Sequence, residues 1–174
     1  LGPGAHAAGD DQVRALLGDD CYGEGDTTLV DTVSELLRRR GETVTTAESC
    51  TGGLLASMIT SRSGSSDVFE RGVVTYANAA KQAMLGVPEA TLLEHGAVSE
   101  PVARAMAEGA RDTAGADWAL ALTGIAGPTG GTPDKPVGLV FVGLAGPGET
   151  VVKRLQLFRE RELNQKLSAS LALD

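Results

Sequence analysis

The chain has 174 residues, a length suited to one domain that can bury a core without disulfide or metal staples. Hydrophobic residues make up 42% and charged residues 22%, and the net charge of −8 argues against a surface built to bind nucleic-acid phosphates. The two cysteines, Cys21 and Cys50, and the two histidines, His6 and His95, show no C-x-x-C or metal-ligand spacing, and no apolar run approaches the roughly 18 residues of a membrane span.

No signal-peptide pattern is present, so a cytoplasmic protein without a metal or cofactor is expected, and one that avoids membranes. The chain begins at Leu1 rather than methionine, as expected of a processed or trimmed piece. Residues 1–26 are rich in Gly, Ala and Asp, with one short helical pattern over 13–17, and read as a linker or tail. Asp26-Thr27-Thr28 then caps a helix with Leu29, Val30, Val33, Leu36 and Leu37 on one face, closed by Arg38-Arg39-Arg40 and Gly41.

A strand over Thr43–Thr46 runs into Ala47-Glu48-Ser49-Cys50-Thr51-Gly52-Gly53, and a helix follows to about Ile59. Residues 61–66 form a loop, and β-branched residues mark a second strand from Phe69 to Tyr76. Residues 77–85 turn into a short helix, and Pro88 to His95 makes another short turn. Ser99 with Pro101 starts an amphipathic helix carrying Val102, Met106 and Ala110. Trp118–Thr123 reads as a buried strand leading into a glycine-rich loop over 124–131. Val137–Leu144 is a central strand, and Gly146-Pro147-Gly148-Glu149 turns it back into an edge strand over Val151–Leu157. A last helix starts near Arg161. The βαβα alternation predicts an α/β domain over 27–174, with a mixed sheet closed by an antiparallel hairpin.

In such sheets ligands sit beyond the carboxyl ends of the strands. Ser49, Tyr76 with Asn78 and Lys81, and the loop 124–131 all fall there. A serine at a strand-to-helix turn can be a nucleophile or a helix cap. No His–Asp pair is available to activate it, so Lys81 is the candidate base, with Tyr76 as a relay or an orienting group. Lys81 could equally be a surface lysine, and Tyr76 an ordinary strand residue. Glu48 could orient the junction or pair with Lys81, and Cys50 is the other possible nucleophile, though with no histidine beside it to form a thiolate it reads as a buried structural thiol. The G-x-x-x-x-G-K-[ST] and G-x-G-x-x-G fingerprints are missing, which removes the usual phosphate-loop and dinucleotide classes. Reductases that use Ser, Tyr and Lys carry the last two one turn apart on a single helix. Here Tyr76 and Lys81 straddle a strand-to-helix transition.

The junction Ala47-Glu48-Ser49-Cys50-Thr51-Gly52-Gly53 resembles the A-E-S-C-T-G-G signature of the CinA C-terminal domain family. Phe69 to Asn78 with Lys81, His95 to Ser99, and Thr123 to Pro128 with Lys135 to Gly138 resemble its further blocks in the same order. The resemblance covers roughly 27–173. It implies a three-layer α/β/α fold and a nicotinamide-nucleotide amidase that converts nicotinamide mononucleotide to nicotinate mononucleotide and ammonia. The family's serine, tyrosine and lysine fall on Ser49, Tyr76 and Lys81. Residues 17–24 resemble the lead-in found in longer CinA proteins, which add an N-terminal molybdopterin-binding-like domain implied to hydrolyse ADP-ribose. Where the family has F-x-G-D-R, this chain has Phe158-Arg159-Glu160-Arg161, and a second arginine four residues on appears as Gln165.

The expected reaction is acyl transfer to water through Ser49, with Lys81 taking the proton directly or through Tyr76. N–H groups of Thr51, Gly52 and Gly53 are expected at the oxyanion. Asn78, Thr123, Gly124, Gly127 and Arg161 are expected to contact the nucleotide, whose phosphate would lie on the loop 124–131 or near Arg161. The expected partner is a small pyridine nucleotide, and the chain is expected to form a homo-oligomer, taken as a dimer. The alternatives are a non-catalytic nucleotide-binding module of a longer protein, and an amidase for another pyridine carboxamide or a pterin.

Overall fold

Thr28 opens the first helix, α1 (Leu29–Arg40), with a capping box in which its hydroxyl accepts from Asp31 N–H and the Asp31 carboxylate accepts from Thr28 N–H. Arg38, Arg39 and Arg40 lie in the last turn, where cations suit the helix dipole, and Gly41 ends it in the left-handed region. The computed structural model describes residues 25–174 without interruption, together with Ala15, Leu16, Gly18, Tyr22 and Gly23. Most of the expected tail and of its helical pattern lies outside the described residues.

The elements that follow are β1 (Val44–Glu48), α2 (Leu54–Thr60), β2 (Phe69–Val74), α3 (Asn78–Leu85), α4 (Glu89–His95), α5 (Glu100–Ala114), β3 (Trp118–Gly124), β4 (Leu139–Ala145), β5 (Thr150–Gln156) and α6 (Arg161–Leu171). Strand β1 continues two residues past Thr46, which places Ser49 directly after its end. Strand β2 stops at Val74, so Tyr76 lies beyond the strand, in the connection to α3. The stretch from Pro88 forms the helix α4, started by the fixed φ of Pro88 at its N-cap. Strand β4 begins at Leu139 because Leu139 N–H donates to Pro136 O in a preceding turn.

The sheet order is β2-β1-β3-β4-β5. Strand β1 pairs parallel with β2 on one side and β3 on the other, while β3–β4 and β4–β5 are antiparallel, the last as the expected hairpin. One face packs against α1, α2 and α6 through Val30, Leu37, Leu55, Ile59, Ala169 and Leu173. The other packs against α3, α4 and α5 through Leu85, Leu92, Val102, Met106 and Ala107. The result is a three-layer α/β/α sandwich. The chain leaves β1 toward β2 through α2 and returns past β1 to β3 through helices on the opposite face. That reversal opens a crevice at the carboxyl ends of β1 and β3. Among the described residues no helix is long and apolar enough to cross a membrane.

Candidate active site

Ser49 sits one residue beyond β1, held by its N–H donating to Leu122 O of β3 at 3.0 Å. The chain turns at once, with Gly52 N–H donating to Ser49 O at 3.2 Å, and enters α2 through Gly52 and Gly53 at φ 65° and 101°. Both angles lie in the left-handed region that favours glycine, so the backbone of this turn calls for these two residues. No hydroxyl caps α2. Instead the Glu48 carboxylate, 1% exposed, accepts from the N–H groups of Gly53, Leu55 and Ala56 at 3.0, 3.1 and 2.8 Å. Glu48 therefore orients the junction and is not recorded as a partner of Lys81. Its negative charge lies where the helix dipole is positive.

Lys81 lies in α3 and is 1% exposed. Its Nζ reaches Ser49 Oγ at 3.1 Å, and donates to Thr75 O at 2.7 Å and Tyr76 O at 3.4 Å. No described carboxylate pairs with it. Burial pushes the Lys81 amine below its ordinary value of 10.5, with the adjacent Cys50 acting the other way. A neutral amine has two protons and one lone pair. Two carbonyls take the protons, and the lone pair is left for the Ser49 hydroxyl. The arrangement fits a base that is neutral at work. The Cys50 thiol is pushed up to about 11, chiefly by burial, which keeps it protonated near neutrality.

These groups open on a cleft of about 330 Å³, within the ordinary range for small-ligand sites. Ser49, Cys50, Tyr76, Lys81, Thr123, Gly124, Gly127 and Arg161 line it, and Ala97, Val98, Ile125, Ala126, Thr129 and Gly130 complete the walls. Thr123 Oγ donates to Ala97 O at 2.7 Å, which ties β3 to the segment before α5. Gly124 is required by packing, since a Cβ there would come within 2.8 Å of Leu139 O and 2.7 Å of Val140. Tyr76 is 62% exposed, and its hydroxyl accepts from Arg161 Nη2 at 3.2 Å, while Arg161 Nη1 donates to Gly127 O at 2.9 Å. The Ser49–Lys81 contact is thus direct, and the Tyr76 hydroxyl is not recorded between them. A larger hollow of about 990 Å³ beside α6 shares Ala126, Gly127 and Arg161 with the cleft.

Four expected contact residues lie elsewhere. Thr51, Gly52, Gly53 and Asn78 do not line the cleft. Gly53 N–H is taken by Glu48, Gly52 N–H closes the turn on Ser49 O, and Asn78 is exposed at the start of α3. Sequence reasoning missed Cys50 as part of the wall, and missed two residues of α6. Asn164, fully buried, donates to Ala126 O at 3.0 Å and Arg159 O at 2.6 Å. Gln165 Nε2 donates to Cys50 O at 2.7 Å. The signal for Gln165 was its place one turn after Arg161, where the resembled family carries a second arginine. Among the described residues no group of His, Cys, Asp and Glu is gathered to hold a metal ion.

The fold and site define a three-layer α/β/α protein with a buried serine–lysine pair at the carboxyl ends of its central strands. The chain belongs to the CinA C-terminal domain family, whose family model matches residues 26–174. A CinA-like protein of Anaeromyxobacter sp. (strain Fw109-5) is 53% identical over 176 residues, covering 99% of this chain and 43% of the relative. One from Geobacter sulfurreducens is 54% identical, covering 93% and 39%. The chain thus spans less than half the length of these curated relatives. Among solved structures, the competence damage-inducible protein A (ComA) of Klebsiella pneumoniae superposes with a TM-score of 0.81 at 38% identity, covering 83% of this chain and 90% of that one. The competence/damage inducible protein CihA of Agrobacterium tumefaciens gives 0.79 at 39% identity, covering 87% and 95%.

Proposed function

We propose that this domain hydrolyses the carboxamide of nicotinamide mononucleotide, releasing nicotinate mononucleotide and ammonia. The observation that carries the reading is the buried Lys81 amine on Ser49 Oγ, with two carbonyls for its protons and, among the described residues, no carboxylate partner. Lys81 takes the Ser49 proton, and the alkoxide adds to the carboxamide carbon. The tetrahedral intermediate collapses as Lys81 returns the proton to the departing nitrogen, so ammonia leaves and Ser49 holds an acyl ester. Water then gives its proton to Lys81 and adds to the ester carbon, and the carboxylate leaves as Ser49 regains its proton. The pyridine ring would fill the cleft between Cys50 and the wall of Ala97 and Val98. Arg161 and the loop 124–131 would face the ribose phosphate.

The test incubates the protein with nicotinamide mononucleotide and measures ammonia and nicotinate mononucleotide. Ammonia should form at a rate that falls by about 10³-fold or more in Ser49→Ala. A Ser49→Ala protein with full activity ends the proposal. Binding of the nucleotide without ammonia release would identify a binding module instead, and release only from another carboxamide would move the substrate assignment.

A further inference from the structure

We infer that Gln165 is a positioning residue that sets the nucleophile turn so that Cys50 N–H becomes the oxyanion donor. The inference rests on the acyl-transfer reading above and replaces the donors expected at Thr51, Gly52 and Gly53: the last two are occupied, and Thr51 does not line the cleft. In a trans peptide the C=O and N–H point to opposite sides of one plane. The Ser49–Cys50 plane is fixed by Gly52 N–H donating to Ser49 O at 3.2 Å, which turns Cys50 N–H away from the interior of the turn. The Cys50–Thr51 plane is fixed from outside the turn, by Gln165 Nε2 on Cys50 O at 2.7 Å. Both planes flanking the Cys50 α-carbon are therefore held. Ser49 and Cys50 are the two residues of this turn that line the cleft. Among the described residues no backbone carbonyl accepts from Cys50 N–H, which leaves it open to a developing oxyanion.

The hold on Gln165 is itself rigid. Helix α6 is anchored in the core by Ala169, Ala172 and Leu173, and in its first turns by Arg161 on Gly127 O and Asn164 on Ala126 O. A donor preorganised in this way acts on the transition state more than on bound substrate, so its loss lowers kcat and leaves KM nearly unchanged.

The experiment compares the parent chain with Gln165→Glu, Gln165→Leu and Gln165→Arg, each first shown to melt cooperatively. Gln165→Glu keeps size and shape but sets an acceptor against Cys50 O. It should lower kcat for ammonia release from nicotinamide mononucleotide by about tenfold or more, with KM within roughly twofold. Gln165→Leu should do the same, and it replaces Gln165→Glu if that protein does not fold. Gln165→Arg restores a donor and should recover most of the rate. An unchanged kcat in Gln165→Glu or Gln165→Leu, or a change confined to KM, overturns the inference. If the parent chain releases no ammonia, the amidase reading has failed, and the inference is then read from the rate at which a fluorophosphonate labels Ser49. Slower labelling in Gln165→Glu with recovery in Gln165→Arg supports it, and equal rates overturn it.

Discussion

Lys81 shows how one residue's surroundings select its chemistry. Its amine is buried among neutral oxygens, so the charged form loses hydration and gains no opposite charge in return. The same burial that suits a base costs stability. Between Lys81's lowered folded value and the 10.5 of an ordinary lysine, the unfolded chain binds the proton more readily than the folded one, so stability rises with pH across that window. Cys50 acts with the opposite sign, because its raised value makes stability fall as pH climbs past the ordinary thiol range toward 11. Comparing variant with parent at each pH isolates the lysine. Lys81→Met should lose about 10²-fold or more in kcat near neutrality, and Lys81→Arg should be as inactive because a guanidinium stays charged. In urea unfolding at several pH values, Lys81→Met should lack the parent's added gain in stability with rising pH. Parallel profiles would show that Lys81 is not displaced from its ordinary protonation.

Among the elements, α2 depends most on its neighbour. It has seven residues and no hydroxyl or carboxylate at its N-cap, so its early N–H groups would be unpaired without help. The help comes from Glu48 at the end of β1, whose two oxygens accept three of these N–H groups. Strand, cap and Ser49 are thereby one rigid piece, since Glu48 precedes Ser49. Glu48→Ala should destabilise the protein by about 3 kcal/mol, because it strands buried donors rather than removing both partners. It should also slow Ser49 chemistry by loosening the turn. Denaturant unfolding checks the first part, and a loss under about 1 kcal/mol would show that the cap is dispensable.

At the level of the whole molecule, the last helix closes the site that the first strands open. From α6, Arg161, Asn164 and Gln165 reach the loop after β3, the tyrosine beyond β2 and the turn after β1. Lys135 adds a further tie, donating to His95 O at the end of α4 and joining the β3–β4 connection to the segment before Ala97. Fully buried Asn164 is the centre of this closure, since its side chain also accepts from Arg159 N–H at 3.2 Å. Asn164→Leu keeps the volume but leaves two carbonyls and one N–H without their partner. A destabilisation of about 2–4 kcal/mol is expected, with a KM raised by roughly fivefold as residues 126–127 relax. A variant with parent stability and parent KM would show that α6 only covers the core.

The order of helices and strands apart from α4, the capping of α1, the βαβ unit and the final hairpin were legible in the chain. Each depends on spacings of two to four residues, and local periodicity reports such spacings directly. Ser49 and Lys81 were legible as candidates because strand ends are where such sheets carry ligands. Whether Lys81 lies buried or on the surface needed the tertiary structure. It turns on whether α3 buries the amine against Thr75 O, a matter of how the β2–α3 connection folds back. The choice between the two roles offered for Glu48, and the contacts of Asn164 and Gln165, were not legible for the same kind of reason. Gln165 meets Cys50 across 115 positions, and that meeting exists only because α6 packs on the same face of the sheet as α2. Local pattern can name the residues able to donate or accept a proton, but packing of distant elements settles which of them meet.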